Sequence, residues 1–387
     1  MKLRISGKRF ARVTRVLVFR PGYLGDTVVA LPAFRVIARK FPDAELRVLT
    51  QFTDNPKAAP LAQVLERTGL AHGYIRYPPR IRGIASLSSV RNDIRNYNPD
   101  VLVYLAPALS GLAKILRDVA FFRWCGIFTI IGVPYAKEMR NPRQLESGLY
   151  EFEGLRLLRC LKPLAEAGID SEDAFELNLS ESDDCAASAA LDSIPPDAQI
   201  LAVSIGAKVD VKDWGERRWA ELIRLLNQRQ PNLALVTLGA EVERERSQRM
   251  LELWGGPKVN LCGRLSVCES AAVMKRARVF LGHDSGPMHL AAAVGTTCVA
   301  VFSSRQLPGI WYPWGKSHRV LFRRIPCEGC NLDVCVELNK ACIASIGVDE
   351  VFNAVFSALN LRGNEIGEAI GHEPVTKIGV DNEQRQS

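Results

Sequence analysis

"RPGYLGDTVV", residues 20–29, lies between the apolar run Val16-Leu17-Val18-Phe19 and a segment with helical spacing that reaches Lys40. Two glycines between a strand and a helix are the usual mark of a phosphate loop, because glycine lets backbone N–H groups approach an anion at a helix N-terminus. The rest of that chemistry is missing here. A P-loop continues with Lys and Ser or Thr after its second glycine, and a dinucleotide fingerprint reads G-x-G-x-x-G. In this chain Gly22 and Gly25 are followed by Asp26, and a carboxylate at the helix mouth would repel a phosphate and occupy its place. Asp26 then has two readings. It is an N-cap, a position where Asp is among the preferred residues, or it is a carboxylate that the helix dipole keeps ionised, set to take a proton from a hydroxyl nucleophile.

Outward from this stretch, short apolar runs alternate with longer helical patterns. Strands are expected at 16–19, 46–50 and 101–105, with a helix at 26–40. Strand, helix, strand in that rhythm is the signal of a parallel sheet covered by helices. The polar segment "SESDDCAASAALDSIPPDAQ", residues 180–199, ends in a Pro-Pro pair and reads as a linker. The pattern then repeats, with strands at 200–205, 233–238, 278–282 and 298–302, and helices at 216–228, 241–253 and 286–294. The expected organisation is α/β: a Rossmann-like domain over 1–179, the linker 180–199, a second Rossmann-like domain over 200–361, and a tail, 362–387, with little apolar periodicity. Two such domains with parallel sheets facing a common cleft would place ligands between them.

The chain has 387 residues, enough for two domains that each bury a core, and 24% of them are charged, which is ordinary for a globular protein. The net charge of +8 is unevenly spread: residues 1–150 hold 24 Lys and Arg against 10 Asp and Glu, and the remainder holds 26 against 32. A basic half suits an anionic partner such as a phosphorylated substrate or an anionic membrane surface. Nucleic acid is disfavoured as the partner, since the cations are scattered through strand–helix units with no nucleic-acid-binding signature. The basic first twenty residues are not followed by an apolar core of signal-peptide length. The most lipid-like run, 119–133, is interrupted by Arg123 and falls short of the roughly 20 apolar residues a spanning helix needs. These features point to a soluble or peripheral, cytoplasmic protein.

A second constellation, "VFLGHDSGPMHLAAAVG" at 279–295, ends a strand and opens a helix. Gly286 permits close backbone approach and Pro287 suits a first helical turn, so free N–H groups and the positive helix end can hold a diphosphate. Asp284, Ser285, Gly286 and His289 cluster at that junction. Lys208 and Lys212, in "SIGAKVDVKDW" at 204–214, supply cations for phosphate oxygens, or are solvated loop lysines. Glu241 can accept hydrogen bonds from a ribose, or serve as an ordinary acid of a first helical turn. Cys327, Cys330, Cys335 and Cys342 form a C-x2-C-x4-C-x6-C cluster. Four thiolates can close a tetrahedral structural metal site, and the alternative is a set of reduced thiols under a loop.

Taken together, "GDTVVALP", "FPDAELRVLT", "DSGPMHLAAAVGT", "VAVFSS" and "WYPWG", in this order, resemble glycosyltransferase family 9, the ADP-heptose:lipopolysaccharide heptosyltransferases and their relatives. The resemblance runs from about residue 14 to 355. It implies a GT-B fold with the acceptor site in the first domain and the nucleotide-sugar site in the second. It implies inverting transfer from a nucleoside diphosphate sugar, with ADP-heptose the favoured donor, onto a hydroxyl of an anionic cell-envelope glycan or glycolipid such as the lipopolysaccharide core, at the inner face of the cytoplasmic membrane. No cofactor is implied for the chemistry. By the same resemblance Asp26 matches the base, Lys212 the lysine at the donor phosphates and Glu241 the acid at the nucleoside. Asp284, Ser285, Gly286 and His289 match the donor-binding turn, with Lys208 nearby. Gly22, Tyr23 and Gly25 are expected at the acceptor or sugar pocket. The alternative on the same fold is a nucleotide-sugar-binding or regulatory protein without transferase activity.

Overall fold

The computed structural model describes residues 13–51, 61–78, 83–165, 168–169, 173–230 and 232–360. The basic residues before 13 and the expected tail from 362 lie outside the described residues. The chain divides into two units, Met1–Ser180 and Glu181–Ser387, and each is an α/β unit in its own right.

In the first unit, strands β1 (Arg15–Phe19), β2 (Glu45–Gln51), β3 (Gly73–Tyr77), β4 (Val101–Tyr104) and β5 (Ile130–Ile131) alternate with helices α1 (Leu24–Lys40), α2 (Ala62–Thr68), α3 (Gly83–Tyr97) and α4 (Leu112–Trp124). Helices α5 (Lys137–Arg140) and α6 (Glu153–Cys160) follow. The sheet order is β3-β2-β1-β4-β5, and all its pairings are parallel. Covered on both faces, β1 and β4 carry continuous apolar runs with buried side chains. One face packs against α3 and α4 through Val90, Ile94, Ile115, Val119 and Phe122, which meet Leu17, Phe19 and Tyr104. The lipid-like run at 119–133 is thus divided between α4, a turn and β5.

The second unit begins with α7 (Glu181–Ala190), followed by β6 (Gln199–Ser204), α8 (Glu216–Arg229), β7 (Leu233–Thr237), α9 (Arg244–Leu251), β8 (Lys258–Asn260), α10 (Val267–Arg276) and β9 (Val279–His283). Then come α11 (Gly286–Ala293), β10 (Thr297–Val301), β11 (Arg319–Leu321), α12 (Ala341–Ala344) and α13 (Val348–Asn360). The order β11-β10-β9-β6-β7-β8 is again parallel throughout. Local signals explain the helix starts. Ser266 caps α10 by accepting from the Glu269 N–H, and Glu269 accepts in return from the Ser266 N–H at 2.7 Å, a reciprocal capping box. On α8, Trp219, Leu222, Ile223 and Leu226 recur at helical spacing and enter the core.

The first half of the stretch expected as a linker, 180–199, is helix α7. Its acids Glu181, Asp183 and Asp184 fall in the first turn of α7, where they complement the helix dipole, and alanines complete the helix. Arg276 of α10 donates to the Asp184 carbonyl at 2.7 Å, so the segment is docked within the second unit. Polarity signalled a helix start there, not irregularity: Glu181 is exposed, whereas Asp183 is buried. The helix expected at 241–253 is also divided, with a short 3-10 turn at Glu241–Glu243 before α9.

Trp214, Trp219 and Trp254 are fully buried in the second core. Trp219 meets Trp214 edge-on at 5.3 Å between ring centroids and the His283 ring at 5.2 Å. Trp219→Ala is expected to destabilise this unit by about 3–5 kcal/mol through lost burial and the cavity left behind. The shift of the unit's urea unfolding transition, followed by near-UV circular dichroism, measures it.

Candidate functional site

In an open parallel sheet, a crevice forms at the carboxyl ends of the strands where their order reverses. In the first unit this point lies between β1 and β4, and in the second between β6 and β9. The loop after β1 carries residues 20–23 and leads to Asp26. The loops after β6 and β9 carry Lys208, Lys212 and the turn from Asp284.

At the first of these points Arg20, wholly buried, reaches from the end of β1 to the end of β4 and donates through Nη1 to the Leu105 carbonyl at 3.0 Å. Its Nη2 donates to the Asp26 carbonyl at 2.6 Å and lies 4.0 Å from Asp26 Oδ1. Its Nε is buried without a partner. Burial lowers the guanidinium's pKa, and the negative charges of Asp26 and Glu153 pull it back up.

Asp26 is the third residue of α1, so the N-cap is Tyr23. The cap reading of Asp26 is right in function and wrong in position: its Oδ2 accepts from the Tyr23 N–H at 2.9 Å, covering one of the donors a helix start leaves open. Oδ1 is the oxygen beside Arg20, and the side chain is 26% exposed. Gly22 has φ of +140°, and a Cβ there would stand 2.5 Å from Asp26 Cβ. The glycine is required by the folded-back carboxylate. Gly25 and Tyr23 flank it, half-buried, at the start of α1.

Helix α6 braces this arrangement. Glu153 and Arg156, both buried, pair through two bonds of 2.7 Å, and Arg156 also donates to the Ala106 carbonyl while Glu153 accepts from the Ala108 N–H. The wall after β4 is therefore held by the same charge cluster that faces Arg20. Sequence reading missed Arg20, Glu153 and Arg156. The signal was an acid and an arginine three residues apart in "EGLR", on a helix face that also carries Leu157.

In the second unit Lys212 and Asp284 come together. Lys212 Nζ is 2.6 Å from Asp284 Oδ2 and 3.2 Å from its carbonyl oxygen. This pair neutralises a buried carboxylate that would otherwise repel a phosphate. An ammonium has three donors, which leaves one beyond the two bonds to Asp284. Ser285 is the N-cap of α11, with its hydroxyl turned to the His283 carbonyl, and Gly286 and Pro287 open the helix. His289 is buried in the first turn, edge-on to Trp311. Lys208 is exposed on the β6 loop. Glu241 is mostly exposed and pairs with Arg244 at 2.6 Å.

His283 ties the two loops together. Its Nε2 accepts from the Trp214 N–H at 3.1 Å, which leaves Nδ1–H to donate to the Gly206 carbonyl at 3.1 Å. Burial pushes this imidazole down to about 4, against an opposing pull from Asp213.

The four-cysteine segment lies beside the Lys212 turn of the second unit. Among the described residues no three His, Cys, Asp or Glu side chains are placed to hold a metal ion. Cys327, Cys330, Cys335 and Cys342 are free thiols; burial and the neighbouring cysteines push the Cys327 thiol up, and burial does the same for Cys342. The donor set suits a tetrahedral metal, and Cys330, Cys335 and Cys342 all lie close enough to Cys327 to act on its thiol. What the loop does hold is the Lys212 turn: the Val211 N–H donates to the Asp333 carbonyl at 3.2 Å and Lys340 pairs with Asp210 at 3.1 Å.

A polar cavity of about 530 Å³ lies at the opposite, amino-terminal end of the first sheet, lined by Arg15, Glu45, Arg47, Tyr74, Arg76 and Tyr97 among others. It is remote from the β1–β4 crevice and includes none of the residues expected in the site.

The sheet orders and the crevice contents define a two-domain Rossmann-like protein of the GT-B class. Comparison places it more closely. The sequence model of Glycosyltransferase family 9 (heptosyltransferase) matches residues 157–341. Lipopolysaccharide heptosyltransferase 1 of Pseudomonas aeruginosa is 31% identical over 140 residues, 36% of this chain and 38% of that protein's length. The glycosyl transferase family 9 structure from Veillonella parvula superposes with a TM-score of 0.68 at 18% identity, covering 89% of this chain and 97% of that one. The E. coli heptosyltransferase WaaC, solved with ADP-2-deoxy-2-fluoro heptose, gives 0.59 at 18% identity over 89% and 99%. The chain thus has the GT-B fold of these structures, and residues 157–341 are similar to the glycosyltransferase family 9 heptosyltransferases.

The His283 contacts carry a pH prediction. The folded imidazole titrates near 4 and the unfolded one near 6.5, so below the unfolded value protons bind preferentially to the unfolded chain. The stability held above pH 6.5 is then expected to fall by about 3 kcal/mol as pH drops to 4. His283→Gln should show a shallower loss across that window when urea midpoints are compared.

Proposed function

We propose that this protein is an inverting glycosyltransferase that moves a sugar, heptose from ADP-heptose in the favoured reading, onto a hydroxyl of a cell-envelope acceptor such as the lipopolysaccharide core. The observation that carries the proposal is the unlike content of the two switch-point crevices. One presents a carboxylate braced by a buried arginine, and the other presents a lysine–aspartate pair beside a helix N-terminus. The match of residues 157–341 to the heptosyltransferase family model supports the sugar, and the ADP-sugar analogue bound to WaaC supports the nucleotide.

In this reading the diphosphate lies against the first-turn N–H groups of α11, with the remaining Lys212 donor on a phosphate oxygen and His289 adding a second contact. Glu241 turns from Arg244 toward the ribose, and Lys208 adds positive charge at the rim. The acceptor hydroxyl lies against Asp26, in a pocket shaped by Gly22, Tyr23 and Gly25. Its oxygen attacks the anomeric carbon from the face opposite the diphosphate, and its proton passes to Asp26 Oδ1, the oxygen not held by the Tyr23 N–H. The bond from the anomeric carbon to the diphosphate oxygen breaks with its electron pair on the leaving group, inverting the centre. The growing charge meets Lys212 and the α11 N–H groups, which stabilise the transition state more than the ground state. Arg20 would hold Asp26 at this distance from the wall after β4. Every step uses side chains of this chain, and the anionic acceptor would be met at the inner-membrane surface, which fits the basic first half.

Asp26→Asn is expected to lower transfer by about 10²–10⁴-fold, the range for loss of a general base, with donor affinity unchanged. Lys212→Ala should instead weaken donor binding, since it leaves Asp284 unpaired beside the phosphate. A panel of ADP-, UDP- and GDP-sugars read by thermal shift tests the nucleotide, because a ligand that binds only the folded state raises the apparent melting temperature. Transfer by Asp26→Asn at the normal rate removes the base assignment. Donor-dependent stabilisation without transfer to any envelope extract would make the chain a nucleotide-sugar-binding protein.

A further inference from the structure

Helix α4 is apolar on the side that faces solvent. Its core face is complete without that side: Ile115, Asp118, Val119 and Phe122 are the buried residues. The opposite arc carries Leu112, Leu116, Ala120 and Trp124, spaced by four, with Leu112, Leu116 and Trp124 each 42–50% exposed. At 1.5 Å per residue this stripe is about 18 Å long. Phe128 extends it beyond the helix at 74% exposure, and Leu109 precedes it at 47%. Large apolar side chains exposed singly need no explanation, but a contiguous stripe marks an interaction surface.

Arg117 is paired with Asp118 at 2.7 Å, so the net positive charge of α4 is carried by Lys114 and Arg123. Lys114, Arg117 and Arg123 are exposed on α4, whereas its acid, Asp118, is turned inward and accepts from the Tyr104 hydroxyl at 3.0 Å. From α3, Arg91 lies 4.6 Å over the Trp124 ring and donates to the Trp124 carbonyl. Arg95 acts with Arg91 on the neighbouring Cys125 thiol. Leucine, tryptophan and phenylalanine bordered by lysine and arginine is the composition of a helix that lies in a bilayer interface. A two-fold contact between copies would oppose these cations to themselves. An anionic bilayer would complement them.

We infer that the outer face of α4, with Phe128 and the α3 arginines, docks this protein on an anionic lipid surface. Docking deepens the proposed membrane setting of the acceptor, yet it is read without sugar transfer. The stripe lies parallel to the membrane, with the apolar side chains entering the headgroup boundary and the cations at the phosphates. Among the described residues no helix is long and apolar enough to cross a membrane, and docking of this kind requires none.

The test is flotation of the full-length chain with vesicles of phosphatidylcholine alone or with added phosphatidylglycerol. Binding is expected only to the anionic vesicles and should weaken as salt rises. Leu116→Gln and Trp124→Gln should each weaken it roughly tenfold, the ratio expected when one large apolar side chain no longer enters an apolar phase. Lys114→Glu with Arg123→Glu should abolish it. Val336→Gln, at an exposed apolar site in the second unit, should bind as the parent does. Asp26→Asn should also bind normally, so failed docking and failed catalysis are read separately. Equal binding by the α4 variants and the parent overturns the proposal. So does a parent that ignores anionic vesicles, whether it is monomeric or a dimer that Leu116→Gln dissociates in size-exclusion chromatography; the dimer would make the stripe a self-association face.

Discussion

A parallel sheet whose strand order reverses sends the loops on either side of the reversal to opposite faces, and the gap between them has to be held open by something other than backbone pairing. In the first unit that task falls to Arg20. Its guanidinium bonds the carbonyl after β4 and the carbonyl of Asp26 on α1, so the two walls of the crevice are fixed to one rigid, planar group. A buried arginine is costly to desolvate. Here the cost is offset by two carbonyls and by the neighbouring acids Asp26 and Glu153.

The second unit solves the same geometric problem with a neutral group. His283, at the last position of β9, accepts from the loop after β6 and donates back to it. Because it stays uncharged, it can be buried against the Trp219 ring and the Trp214 backbone without a counter-ion. The charged pair, Lys212 with Asp284, is left nearer the surface. Position and charge are thus divided between adjacent residues of one turn. The cysteine-bearing loop then secures Lys212 from the far side through backbone and lysine contacts.

The order of elements was legible in the sequence because burial on both faces forces continuous apolar strands, and β1, β4, β6 and β9 all show them. The turn at 284–289 was legible as well, since Ser, Gly and Pro have few uses in succession between a strand and a helix. One reading went astray for a physical reason. The acids of 181–184 looked like a linker because polarity alone does not separate a loop from the acidic first turn of a helix.

What the sequence by itself determined is local geometry: a carboxylate on a glycine mount at one helix start, and a Ser-Gly-Pro turn at another. Those features depend on backbone conformations that only a few residue types adopt, so residue identity reveals them. Only the tertiary structure decided which groups meet. Arg20 and Leu105, Lys212 and Asp284, and the outward apolar face of α4 each join residues whose relation is set by how strands order and helices pack, and no periodicity along the chain encodes that order.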